Sequence, residues 1–161
     1  MMFNPPPAPL SIDVYSGPVE TMPAASVDYL GKYAQVTNLF GIKVDRVLCT
    51  GYLISGAMRY YWEPLRPASP NVVPVSADQN IVLMPLLSPT MLRLTGAPTG
   101  NRTITADKTR AHPGLTYDIK MDGLLNLFTV TIAGLALGNT LGLLGNSSRK
   151  LVFDGTDYQA F

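Results

Sequence analysis

Two side chains in this sequence belong to the small set that does covalent chemistry near neutral pH, Cys49 and His112, each the only one of its kind. A thiol and an imidazole brought together make a nucleophile and its base. Their neighbours point elsewhere. Cys49 follows Leu48 in an apolar run, the usual setting of a core thiol, and His112 sits in Ala-His-Pro-Gly, a turn that leaves the ring solvated. A single cysteine excludes an intrachain disulfide and a thiolate zinc cluster. The carboxylates, from Asp13 to Asp157, fall mostly in turns or on solvent faces, and none is spaced as an acid/base pair or a metal-ligand set. The sequence therefore predicts no catalytic residue, no metal and no cofactor, hence not an enzyme. The third candidate is the run Tyr60, Tyr61 and Trp62, a candidate surface aromatic patch whose rings could stack on sugars. The competing reading places at least two of the three rings in the core, since large aromatics mostly anchor cores.

Composition narrows the class. The chain has 161 residues, so one domain is the default. Charged residues make up only 14% against 47% hydrophobic, where an ordinary domain carries about 25% charged residues. A surface so poor in charge is expected to be covered in part by other chains or a membrane. A net charge of +1 leaves no electrostatic footprint for nucleic acid. Residues 1–10 lack the basic region and apolar core of a secretion signal.

The elements that must position any site are short strands. Residues 1–30 stand apart: Pro5, Pro6, Pro7 and Pro9 impose an extended polyproline conformation, and Pro18 and Pro23 continue to block regular structure. They predict an extended arm lying along a neighbouring subunit, with Phe3, Pro5, Pro6, Pro7, Pro9 and Leu10 making the attachment. Residues 31–161 predict a single β domain. From Lys32 the sequence is rich in Val, Ile, Leu and Tyr, and "AMRYYWEPLRP" alternates until Pro64 and Pro67 end it. Residues 64–80 read as a loop. Runs at 81–87, 90–96, 102–106, 116–121, 127–132 and 149–153 then read as strands, with Tyr117, Ile119 and Met121 facing one side. No repeat of 20–50 residues stands out. Such punctuation predicts an all-β fold, an antiparallel β-sandwich or a jelly-roll-like barrel.

The uncharged stretch 123–148 is long enough to cross a membrane as a helix. Alternation through Phe128, Val130 and Ile132, and glycines at 134, 138, 142 and 145, predict strands instead, and no membrane partner. As the outer face of a sheet, this segment would be covered by further copies of the chain. Asp154-Gly155 between apolar runs predicts a hairpin whose turn is structural. Asn101 and Asn146 fit the glycosylation pattern, and Asn101 also reads as a turn residue opening its strand.

Residues 94–161 resemble a module recurrent in tailed-phage virion proteins. Asn101, Arg102, Thr103, Ile104 and Thr105 match its first strand, and Gly114, Tyr117, Ile119 and Lys120 the next. Val130 and Ile132 match the third, and Asp154, Gly155, Thr156 and Tyr158 its closing hairpin. Tyr60–Pro67 resembles the strand that often precedes it. Ala106 departs from the module, which often has an aliphatic residue there, and no shaft sequence precedes it. The resemblance implies a non-enzymatic virion structural protein: a capsid decoration or cement protein on the outer surface of a phage head. Its partners would be the major capsid protein and copies of itself, with a homotrimer implied because such proteins commonly sit on three-fold axes. The alternative is a tail or head-fibre appendage that binds a glycan receptor.

Overall fold

The computed structural model describes residues 13–39, 42–65, 72–122, 128–136, 141–143 and 147–161. The first of three sheets has the order β1-β2-β3-β4, built from Ser16–Pro18, Tyr33–Leu39, Ile42–Ile54 and Ala57–Pro64. β1 lies parallel on β2, and β2, β3 and β4 are antiparallel neighbours. Ser55 and Gly56, both at positive φ, make the tight turn between β3 and β4. Alternation puts Ala34, Val36, Val47, Cys49 and Trp62 on one buried face. Two short 3₁₀ turns, Val19–Thr21 and Val27–Tyr29, contribute Val19 to the core, as the link between them contributes Met22. The described half of the expected arm, residues 13–30, is thus packed against the sheet. Phe3, Pro5, Pro6, Pro7, Pro9 and Leu10 lie outside the described residues.

From Val72 the chain alternates between two further sheets. β5 (Val72–Ser76), β7 (Met91–Thr95) and β9 (Thr116–Asp122) run parallel in one, while β6 (Ile81–Leu83), β8 (Arg102–Ala106) and β10 (Val130–Ala133) run parallel in the other. A pass through one strand of each sheet is a coil, and the three coils stack as a short β-solenoid. β11 (Leu141–Leu143) then adds antiparallel to β10, β12 (Ser148–Phe153) antiparallel to β9, and β13 (Tyr158–Ala160) antiparallel to β12. The uncharged stretch thus supplies strands, and no helix among the described residues is long and apolar enough to cross a membrane.

The expected all-β class holds, while the antiparallel sandwich or jelly-roll barrel is corrected to this solenoid. The reason is pairing. Alternation decides which face of a strand is buried but not its neighbour, and here the links between stacked strands are long passes through the opposite sheet. A second correction concerns 64–80, expected as a loop, which contains β5. Pro74 is tolerated there because β5 is a sheet-edge strand that need not donate on its free side.

In-register stacking builds the solenoid interior. Val73, Leu92 and Ile119 lie opposite one another, as do Val75, Leu94 and Met121 in the next row. Across the core, Ile81, Ile104 and Ile132 form the matching stack. Leu92, Leu94, Ile104, Ile119, Met121 and Ile132 are all buried. The coil corners repeat as well. Asn80, just before β6, accepts the Thr103 N–H of the next coil (2.9 Å), and Asn101, just before β8, accepts the Thr129 N–H of the coil after (3.2 Å). Between them the Asp78 carboxylate accepts from the Thr99 N–H (2.7 Å) and from Arg102 Nε and Nη2 (2.9 and 2.8 Å).

Truncating the middle of a stack should cost far more than truncating the outside of the same strand. Ile104→Ala is expected to lower stability by about 2–5 kcal/mol, and Thr105→Ala, exposed next door, by less than about 1 kcal/mol. Urea denaturation midpoints at constant slope check this; equal losses at the two positions would contradict the assigned faces.

Candidate interaction surfaces

The reactive pair of the sequence is not brought together. Cys49 is buried on the same face of the first sheet as its cross-strand partner Trp62. Burial pushes its thiol above the usual range, only partly offset by the Ser26 carbonyl that accepts from Sγ at 3.6 Å. His112 belongs to the opposite side, with Nδ1 3.9 Å from Glu63 Oε1 and 3.1 Å from the Pro113 carbonyl. Glu63 already accepts the Tyr52 hydroxyl, which raises that phenol. Tyr117 and Tyr158 are both buried within the solenoid with rings 6.0 Å apart, and burial holds both hydroxyls far above the ordinary tyrosine range. Tyr158 donates to the Asp107 carbonyl (3.1 Å). Among the described residues no three His, Cys, Asp or Glu side chains gather to hold a metal.

The three aromatics of β4 do not form one exposed patch. Strand alternation sends Tyr60 and Trp62 to one face and Tyr61 to the other. Trp62 is buried, its Nε1 donates to the Pro23 carbonyl (2.9 Å), and its ring meets Tyr29 with centroids 5.6 Å apart. Tyr60 is half-buried against the same core. Tyr61 donates to the Gly155 carbonyl (3.3 Å), joined there by Arg59 (3.4 Å). What remains accessible is a cleft of about 280 Å³ between these rings, residues 23–25, Thr109 and Arg110.

That cleft marks the junction of the first sheet with the solenoid. The loop between β8 and β9 lies beside the β4 edge. From it the Arg110 guanidinium donates to the carbonyls of Val19, Glu20 (3.1 Å) and Met22 (3.2 Å), tying down the 3₁₀ turn and the link that follows it. Hydrogen bonds from a charged donor are each worth about 1.5–3 kcal/mol. Arg110 was not legible as a site residue. Its only signal is a lone arginine beside Pro113 in a polar loop, with its partners about ninety residues away.

Asp154 and Gly155 do close the predicted hairpin, with Phe153 opposite Tyr158 and Leu151 opposite Ala160. The turn differs from the two-residue type expected, because Asp154 itself stays at negative φ. A four-residue loop forms instead. Asp154 N–H donates to the Asp157 carbonyl (3.0 Å), and its carboxylate accepts the N–H groups of Thr156 and Asp157 (2.8 Å each). Gly155 adopts φ +104°, and a Cβ there would stand 2.5 Å from Ile54 Cδ1. The glycine thus serves both the turn and the close approach of the β3–β4 hairpin. No family model, no curated protein and no solved structure matches the chain.

Two outcomes follow. Gly155→Val should cost roughly 1–3 kcal/mol from positive-φ strain and shift Ile54; an unchanged melting temperature would contradict the turn geometry. The Asp154 carboxyl is held below the usual range, first by the Asp157 N–H, then by Gln159 and the Thr156 N–H. A depressed folded value means its contribution is complete above the unfolded value near about 3.9 and is lost as pH falls through the folded one. The stability gap between wild type and Asp154→Ala should therefore narrow as pH drops below about 4. A gap constant down to about pH 2 would remove the charge from the explanation.

Proposed function

We propose that the chain is a non-enzymatic structural protein of a phage virion: a capsid decoration or cement protein that sits on the outer surface of the head and binds the major capsid protein. The family resemblance of residues 94–161 supplies the class. One observation supports attachment through the arm. The proline-rich segment joins the folded body at a fixed point, where Asp13 accepts Arg46 Nε and Nη2 (3.1 and 2.5 Å). Immediately after it, Val14 N–H donates to the Tyr33 carbonyl (2.8 Å) and Gln35 N–H to the Tyr15 carbonyl (2.9 Å). The arm thus leaves from a strand zipped onto β2. Proline already fixes φ in the segment before it, so little ordering entropy is lost when Phe3, Pro5, Pro6, Pro7, Pro9 and Leu10 dock.

Self-association belongs to the same proposal. β5 and β6 end their sheets with no strand on the outer side among the described residues. They expose Val72 (50%) and Val82 (53%), with Met84 (44%) close by. Apolar edge strands are templates for another chain, and closed symmetry, a homotrimer on the resemblance, would cover them. A tail or head-fibre appendage with a glycan receptor is the second reading, favoured by the rung-on-rung stacking of the coils, the geometry of a shaft.

The test uses the full chain and a variant lacking residues 1–12. The variant is expected to sediment as the same trimer with an unchanged melting temperature, yet to bind undecorated particles at least about tenfold more weakly. Equal particle binding would refute the attachment role, and a monomeric full chain at micromolar concentration would refute self-association.

A further inference from the structure

The β3–β4 hairpin runs past its neighbour β2. β3 pairs with β4 as far as Ile54 opposite Ala57, but with β2 only as far as Leu48 opposite Tyr33. Lys32 and Gly31 close one more rung, Cys49 N–H donating to the Lys32 carbonyl and Gly31 N–H to the Cys49 carbonyl (3.0 Å each). On the other side the Leu65 N–H donates to the Arg46 carbonyl (3.1 Å). Even-numbered residues of β3 therefore bond towards β4, and odd-numbered ones face the β2 side. Gly51 and Leu53, the next two on that side, have no backbone partner there among the described residues.

The same two rungs carry apolar side chains open to water. Leu53 is 71% exposed and its cross-strand partner Met58 51%, on the face that buries Cys49 and Trp62 further along the sheet. Residues 19–30 cover that face, and the last of them, Leu30, is itself half-exposed. A Cβ on Gly51 would stand 3.1 Å from Met58 Cε and 3.4 Å from Leu30 Cδ1, so these two side chains meet over the glycine. An open strand edge flanked by apolar side chains is a template for one more extended segment.

We infer that this edge is the resting seat of the chain's own arm, with residues 7–10 laid antiparallel along β3 when no other partner holds them. Those residues lie outside the described ones, and three facts choose them. The first is reach. Asp13 is fixed beside Arg46 and the start of β2, and the three residues from Leu10 to Asp13 span up to about 10 Å. Gly51 lies two residues, roughly 7 Å, beyond Cys49, where the β2 side ends. The second is proline spacing. In Pro7-Ala8-Pro9-Leu10 alternate residues turn their N–H and C=O groups to the same side. Leu10 and Ala8 then pair with Gly51 and Leu53, while Pro7 and Pro9 face outward, where a missing N–H costs nothing. The third is polarity: residues 1–12 carry no charged side chain, and Leu10 opposite Gly51 meets Leu30 and Met58. A tethered arm also outcompetes a second copy through its high effective concentration. The seat does not depend on the virion reading, and edge protection and particle association can fail separately.

Amide hydrogen exchange, read residue by residue by NMR on the full chain, tests it. So short a contact opens locally before the body melts, so exchange and not the melting temperature is its readout. The Gly51 and Leu53 amides are expected to exchange at least about tenfold faster in a chain lacking residues 1–10 than in the full chain. The full-length variant Leu10→Asp, which puts a charge among Leu30 and Met58, should speed the same two amides. The Val47 and Cys49 amides, which face β2, should be unmoved in both. Equal exchange at Gly51 and Leu53 with and without the arm would overturn the seat. Protection that grows with protein concentration would overturn it as well, since the occupant would then be another copy.

Discussion

No coil of the β5–β10 winding can satisfy its own backbone. Each strand's N–H and C=O groups point along the stack, so each coil is completed only by the next, in one register. Parallel pairing then puts like on like: isoleucine over isoleucine at 81, 104 and 132, and the Val73–Leu92–Ile119 row facing them. A slip of one residue would turn every one of these side chains outward. The corner groups enforce the register from outside the core. Asn80 and Asn101 each spend a side-chain oxygen on an N–H of the following coil, and Asp78 bridges two coils through Thr99 and Arg102. Asp78 is held below the usual carboxylate range chiefly by the Thr99 N–H. The antiparallel strands β11, β12 and β13 then cover the last coil, while β5 and β6 leave the first one open among the described residues.

The first sheet depends on this stack as well. Its buried face is closed by residues 19–30, and those are held by Arg110 from the β8–β9 loop. On the other face, Tyr61 and Arg59 reach the Gly155 carbonyl at the final hairpin. The anchor at Asp13–Arg46 is therefore mechanically continuous with the solenoid. For the proposed attachment role this continuity matters, because a load taken through the arm reaches the body through a sheet ladder rather than through a hinge.

Much of the strand content was legible because alternation is a local property. In β9 the expected inward set, Tyr117, Ile119 and Met121, is the buried set, and a hairpin forms where Asp-Gly signals one, though around a four-residue loop. The winding was not legible, for two physical reasons. Coil offsets vary: Val72 lies opposite Met91, but Met91 lies opposite Asp118, so no fixed period marks the repeat. The repeating groups are single polar residues, Asn80 and Asn101, which resemble ordinary turn residues until the coils are stacked. Pro74 hid β5 in the same way, since proline argues against a central strand but not against an edge. Of the candidate surfaces, the Tyr60–Trp62 run was visible but its split between faces needed the pairing of β3 with β4.

The central proposal is a protein seated on a phage head by its arm, with the solenoid as a rigid outward body. A three-dimensional reconstruction of the intact particle containing this chain tests it most directly. The expected result is density for the solenoid on the outer surface of the head, with residues 1–12 running from the Asp13 anchor against shell subunits. Density at an internal site or on the tail, absence from the particle, or an arm directed away from the shell would contradict it.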